Sequence, residues 1–363
     1  MAELADGDAV DVLLTGPVFF DLIFTDLDGV PRPGTEVHAG ALSSSPGGVA
    51  NLAVATARLG LSTALAATLG DDAYGRWCWE FLADREGVDL TSSRLAPNWP
   101  TPVTVSIASG GDRSMITREV PNPFSTEALV GDGITARAAF ADLGSMSSGE
   151  TAWWRRAARS GTKIFADIGW DSTGRWDIAD LQPLADCFAF MPNESEAMAY
   201  TRTRSAVAAA RALAERVPLV VVTRGAAGAV AIDSARGEEV MVAAVPANGR
   251  DATGAGDVFG ASLVLGTLRK WPLDQSLSFA ALCAALAVEY PGGALAAPGW
   301  GDLGDWWDRT RRTADRDLVD RFSFLAEVLP ESPSRRRSES TFPFADYRTT
   351  AGPAGIPDKR GTA

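Results

Sequence analysis

The residues best suited to chemistry in this chain are Asp251-Ala252-Thr253-Gly254-Ala255-Gly256-Asp257. Gly254, Ala255 and Gly256 are small enough to let the backbone turn sharply with its N–H groups free. Behind them Val258-Phe259-Gly260-Ala261-Ser262-Leu263-Val264-Leu265 has helical apolar spacing, so the turn opens a helix whose first turn carries the Asp257 carboxylate. A helix N-terminus offers unpaired N–H donors and a partial positive charge, and together these hold anions. A carboxylate at such a place has a use if it takes a proton from a hydroxyl that attacks a phosphate held by the same N–H groups. Taken alone, the stretch fits equally well a stabilising charge in a first helical turn behind a tight loop. Gly254, Gly256 and Gly260 are spaced G-x-G-x-x-x-G and lie late in the chain, so they are not a dinucleotide fingerprint; no G-x-x-x-x-G-K-[ST] phosphate loop occurs either.

Composition narrows the partners. The 363 residues suffice for one large α/β domain or two smaller ones, and 46% hydrophobic with 22% charged residues is ordinary for a globular protein. A formal charge of -13 argues against nucleic acid or an anionic membrane as the main partner, while leaving room for a local cationic pocket. Cys78, Cys187 and Cys283 are far apart in apolar surroundings without C-x-x-C spacing, which reads as buried free thiols in a reducing compartment. The acidic N-terminus (Glu3, Asp6, Asp8, Asp11) is no signal peptide and no apolar run spans a bilayer, so a cytoplasmic location is expected. His38 is the only histidine, so a general base is expected to be a carboxylate.

The elements that must position these residues follow an α/β grammar. Val10 to Phe20 reads as a buried strand running through Gly16-Pro17 to Asp21. Two carboxylate oxygens there can accept from adjacent hydroxyls, though a surface-turn aspartate fits better without further context. Ser45-Pro46-Gly47-Gly48 admits a ligand close to the backbone and starts an apolar helix that carries Asn51 on its first turn and stops at Gly60. Asn51 suits either a ligand hydroxyl or a loop cap. Leu61 to Gly70 reads as a second strand, followed by Asp71-Asp72 and a helix from Tyr74 to Glu86. Thr101 to Ile107 and Ser114 to Glu119 form a hairpin of the kind that covers a site. Ile134 to Leu143, Thr162 to Asp167 and Cys187 to Met191 continue the alternation. Asn193 and Glu196 lie three apart, which suits a hydrated magnesium ion and suits a helix capping box at least as well. Val217 to Thr223 is a buried strand that presents Thr223 and Gly225 at its carboxyl end, where open α/β sheets bind ligands. Leu277 to Tyr290 is an Ala-rich helix, Trp300 to Leu329 reads as one amphipathic helix, and the Ser/Pro/Arg-rich tail from Pro330 reads as largely disordered.

Three stretches in this order resemble the ribokinase-like (PfkB) carbohydrate kinase family over about residues 10–298: Gly47-Gly48-Val49-Ala50-Asn51, Val221-Val222-Thr223-Arg224-Gly225-Ala226-Ala227-Gly228-Ala229, and Asp251 to Asp257. The resemblance implies a three-layer α/β/α sandwich around a mostly parallel sheet, with a small β lid from about 15–45 and 101–120. A helical extension would fill 299–329 and a disordered tail 330–363. It implies an ATP-dependent transfer of a phosphoryl group to an alcohol, with Asp257 as base and the Gly254, Ala255 and Gly256 N–H groups as anion hole. Asp21, Gly48 and Asn51 would hold the sugar hydroxyls. Asn193 and Glu196 would support magnesium and phosphate, Thr223 and Gly225 would line the ATP phosphates, and Asp251 with Thr253 would help hold a monovalent cation such as K+. The partner is then a small-molecule sugar or nucleoside, and a homodimer is allowed.

The chain departs from the family's pattern at two places. Gly47 to Asn51 is one residue shorter than the commoner G-G-x-x-x-N and lacks the Lys that some relatives carry there. Ala166-Asp167-Ile168-Gly169-Trp170-Asp171 replaces D-P-N-x-R and removes its Arg. Both losses favour a neutral monosaccharide or polyol over a sugar phosphate. Trp77, Trp79 and Trp170 suit stacking on a sugar or base, or the commoner packing in a core. A nucleoside kinase of the same family is the first alternative, and a non-catalytic sugar-binding protein the second.

Overall fold

The computed structural model describes residues 9–331 and 333, apart from 28, 110–111, 132–133, 144–152, 170, 172 and 250. Trp170 and nearly all of the tail expected to be disordered lie outside the described residues.

Side chains that alternate along apolar strands must enter two different cores, and they do. In β1 (Val10–Thr15) Val12 and Leu14 join one core and Leu13 the other. In β12 (Leu219–Thr223) Leu219 and Val221 face the first, Val220 and Val222 the second. The first core is closed by helices Val49–Arg58, Ala255–Leu268 and Leu273–Val288, the second by Trp153–Arg159, Glu194–Thr201 and Ala206–Leu213. Helix Ala255–Leu268 is apolar all round and buried continuously from Val258 to Gly266, as expected of a helix with neighbours on every side. The result is a three-layer α/β/α sandwich.

The main sheet has the order β14 (Glu238–Val242), β13 (Ala229–Asp233), β12, β11 (Ala189–Phe190), β10 (Lys163–Asp167), β9 (Ala136–Asp142), β1 and β4 (Thr63–Ala66). It is parallel from β12 through to β4, while β13 and β14 form an antiparallel edge. A second sheet has the order β3 (Ala41–Gly48), β2 (Val18–Thr25), β7 (Val103–Ser109) and β8 (Asp112–Arg118), and β5 (Thr68–Gly70) pairs with β6 (Arg94–Ala96). No described helix is long and apolar enough to cross a membrane. The cysteines are buried free thiols.

Several expectations are corrected. The stretch from Val10 to Phe20 is two strands in two sheets, because Gly16-Pro17 breaks the ladder where Pro17 has no N–H to donate. Leu61 to Gly70 likewise divides into β4 and β5 of different sheets. The Ser45-Pro46-Gly47-Gly48 stretch, besides leading into the Asn51 helix, is the end of strand β3. The long amphipathic helix is three short ones, Trp300–Thr310, Arg316–Phe322 and Leu325–Val328, because Asp315 caps a new start by accepting from the Leu318 N–H at 3.0 Å. For Trp77 the commoner of the two readings holds, and it packs in the core: it is buried, edge-on to Phe20 at 5.4 Å and tilted on Phe81 at 5.6 Å. Trp79 packs half-buried on the same core.

Candidate active site

The Asp251–Asp257 turn is held from within. Asp251 is buried and its Oδ1 accepts from the Thr253 N–H at 2.9 Å and hydroxyl at 2.6 Å, while Oδ2 accepts from the Gly292 N–H at 3.2 Å. Gly254 is in the left-handed region (φ +75°) as the N-cap of helix Ala255–Leu268, and no side chain caps that helix start. A Cβ on Gly254 would lie 3.3 Å from Asn51 Cγ, so glycine serves both the backbone angle and the contact. The Ala255 N–H reaches the Ala252 carbonyl only at 3.3 Å. A helix start with no side-chain cap leaves backbone N–H groups that could meet an anion.

Asp257 sits half-buried on the first turn and accepts a hydrogen bond from Asn51 Nδ2 at 2.9 Å. These two residues are 206 positions apart in the chain, and the shorter Gly-Gly-to-Asn spacing still brings them together. Asn51 is 5% exposed, and its Oδ1 is a buried acceptor without a protein partner, which suits the hydroxyl of a bound molecule. Its helix begins at Gly48 (φ +63°), where a Cβ would stand 2.4 Å from the Pro17 carbonyl oxygen. At Gly47 a Cβ would stand 1.9 Å from Asp21 Oδ2, so the glycine lets the buried Asp21 carboxylate lie against the β3 backbone.

Arg58, on the helix of Asn51, ties down the other wall. It is buried, donates to the Leu295 and Ala297 carbonyls at 2.9 and 2.7 Å, and forms a two-pronged pair with Glu86 at 3.0 and 2.8 Å. The segment it grips carries Gly292, which binds Asp251, and Gly293, where a Cβ would stand 3.2 Å from Asn51 Oδ1.

Asn193 and Glu196 form a reciprocal capping box: the Asn193 N–H donates to Glu196 Oε2 at 2.9 Å and the Glu196 N–H to Asn193 Oδ1 at 3.0 Å. Burial raises the Glu196 carboxyl above its ordinary range. A backbone bridge joins Asn193 to Thr223, so the helix start and the end of β12 are neighbours.

Two carboxylates that the motifs did not single out stand here. Asp142 and Asp167 end the adjacent strands β9 and β10 in register. Asp167 is held well above the ordinary carboxylate range by desolvation, then by the negative charge of Asp257, with Glu196 and Asp142 adding to it. The available signal was an aspartate closing each of two apolar strands at the carboxyl edge of a parallel sheet. Among the described residues no group of three or more His, Cys, Asp or Glu side chains forms a metal cage.

A cavity of about 840 Å³ opens beside the turn. Thr223, Gly225, Asp251, Ala255 and Gly256 line one part of it, and Phe259, Val245 and the alanines of helix Leu273–Val288 line the rest. Thus Thr223, Gly225 and the anion turn share one cavity, while Asn51 and Asp257 meet beside it and Asp21 and Gly48 lie on the second sheet and at its junction with the Asn51 helix.

Comparison with known proteins gives the family. Residues 11–299 match the family described as pfkB family carbohydrate kinase. A fructokinase of Klebsiella pneumoniae is 30% identical over 294 residues, covering 73% of this chain and 92% of that protein. A nucleoside kinase of Methanothermobacter thermautotrophicus is 28% identical over 303 residues, covering 80% and 94%. The structure of Arabidopsis thaliana ribokinase with ribose and ATP superposes with a TM-score of 0.64 at 23% identity, covering 80% of this chain and 96% of that one. The chain belongs to the pfkB family of carbohydrate kinases.

Proposed function

We propose that this protein transfers the γ-phosphoryl group of ATP to a hydroxyl of a neutral monosaccharide or related polyol. The observation that carries the reading is the Asn51–Asp257 hydrogen bond of 2.9 Å, which fixes a carboxylate on the first turn of an uncapped helix beside the cavity. In this reading Asp257 takes the acceptor's hydroxyl proton and the freed oxygen attacks the γ-phosphorus. The bond to the β–γ bridging oxygen breaks and ADP leaves. The Gly254, Ala255 and Gly256 N–H groups stabilise the charge that grows on the transferred group. Asp21, Gly48 and Asn51 hold acceptor hydroxyls, with the buried Asn51 Oδ1 taking one as donor. Thr223, Gly225 and Asn193 contact the nucleotide phosphates. Magnesium, held through Glu196 and water, neutralises phosphate charge when bound. Asp251 and Thr253 shape the adjacent segment for a monovalent cation such as K+. The four-stranded second sheet serves as a lid over a kinase domain of residues 10–298, and the protein works in the cytoplasm, with a homodimer allowed.

Neutrality of the acceptor rests on the missing Lys after Gly48 and the missing Arg beyond Asp167. Similarity to the nucleoside kinase across most of both chains favours a nucleoside as the second reading. ADP release with Mg2+, K+ and ATP across free sugars, sugar phosphates and nucleosides tests both. A single free sugar with high kcat/KM is the expected result. Turnover of sugar phosphates alone would overturn the neutral acceptor, and turnover of nucleosides alone would establish the second reading.

A further inference from the structure

The cavity beside the Asp251–Asp257 turn has few polar side chains among its described lining residues. Of the described side chains lining it, just Thr223 and Asp251 carry hydrogen-bonding groups. Asp251 belongs to the anion turn and already accepts from Thr253 and Gly292, and Thr223 ends β12 next to Asn193. Both therefore stand where phosphates would lie.

The rest of the wall is built of hydrocarbon. Ala281, Ala284, Ala285 and Val288 recur at intervals of three, one and three along helix Leu273–Val288, so they present one apolar face to the cavity. The irregular segment 244–249 lines the same cavity with Ala244, Val245, Pro246, Ala247 and Gly249. A flat base can lie against such surfaces by apolar contact. No described side chain there is placed to accept from a 6-amino group or to donate to a 6-oxo group. Backbone peptides of the segment carry both a donor and an acceptor, so they can meet either edge.

This difference sets how well two bases are told apart. A site with dedicated, buried hydrogen-bonding groups rejects the wrong partner by about 10⁴–10⁵-fold, because those groups are left unpaired. An apolar slot without them discriminates by only about 10–200-fold, even for a change of size. Adenine and guanine have nearly the same size and stacking surface, so the lower end of that range applies.

Resting on the kinase reading above, we propose that the phosphoryl donor is a nucleoside triphosphate of either purine, with GTP and ITP used within roughly tenfold of ATP. Donor selectivity then resides in the triphosphate and the anion turn, and the base contributes affinity without identity.

Calorimetric titration of the full chain with ADP, GDP and IDP, without acceptor, tests this apart from turnover. The expected result is three dissociation constants within about tenfold of one another. GDP binding more than about a hundredfold weaker than ADP would overturn the proposal while leaving the kinase reading intact. Failure of all three to bind would instead remove the nucleotide site itself. Ala284→Leu, which extends a side chain into the cavity, is expected to weaken ADP and GDP together by tenfold or more, roughly the loss of close base packing. Unchanged affinities in that variant would show that the base lies elsewhere and overturn the assignment.

Discussion

Arg58 lies outside the reacting groups, yet its removal should cost heavily. Replacing it with Met keeps much of the aliphatic stem but deletes a guanidinium whose side chain is 4% exposed, opposite a Glu86 side chain 5% exposed. Glu86 is then left as an uncompensated buried charge, a loss measured elsewhere at about 3–5 kcal/mol. The Leu295 and Ala297 carbonyls also lose their donors, at about 1–3 kcal/mol each if they stay dry. These losses share one side chain and do not add, so an overall cost of about 3–5 kcal/mol is expected. Guanidinium unfolding at 25 °C of wild type, Arg58→Met and the Arg58→Met/Glu86→Leu pair measures it by linear extrapolation. The double variant should recover much of the loss, since an apolar pair of similar volume replaces the ion pair. Because Arg58 grips the segment bearing Gly292 and Gly293, the single variant should also turn over more slowly. A cost under about 1 kcal/mol for Arg58→Met would refute the argument, since that is the worth of an exposed pair.

Two further outcomes follow from the site. Asn51→Ala deletes the hydrogen bond to Asp257 and should lower kcat by about 10–100-fold, the equivalent of about 1.5–3 kcal/mol for a bond to a charged group. ADP affinity should hold, since Asn51 does not line the cavity, and a kcat within twofold of wild type would contradict its positioning role. Asp167 has a folded-state pKa raised well above its ordinary 3.8, so the folded state binds the proton more tightly than the unfolded chain. That stabilisation is complete below the ordinary value and is lost as pH rises through the raised one. Asp167→Asn, neutral throughout, should therefore flatten the fall of Tm as pH rises above the ordinary carboxylate range and be the more stable protein once the Asp167 carboxyl ionises. Parallel Tm-against-pH curves would count against the carboxylate crowding.

Much of this was legible in the chain because each motif sits where an element ends. Apolar strands announce a buried sheet, and Thr223, Asn193 and Asp257 follow directly on strand ends or open helices. The partnership of Asn51 with Asp257 was not readable from spacing, since only the packing of two helices on one core brings those positions together. Asp142 and Asp167 looked like ordinary strand-ending aspartates, and their crowding depends on strand register. Arg58 hid in an Ala-rich helix, where an arginine reads as a solvated charge until its carbonyl partners far down the chain are known. The extent of β3 was not readable either, because Ser-Ser-Ser-Pro-Gly-Gly has weak strand propensity and only pairing with β2 holds it extended to Gly48.

The most direct test of the central claim is turnover and ADP binding of Asp257→Asn, measured on the same preparation with the preferred acceptor. An asparagine there can still accept from Asn51 but cannot take a proton. The account predicts a kcat lower by about 10²–10⁴-fold with ADP affinity unchanged. Near-normal turnover would contradict it and remove Asp257 from the role of base.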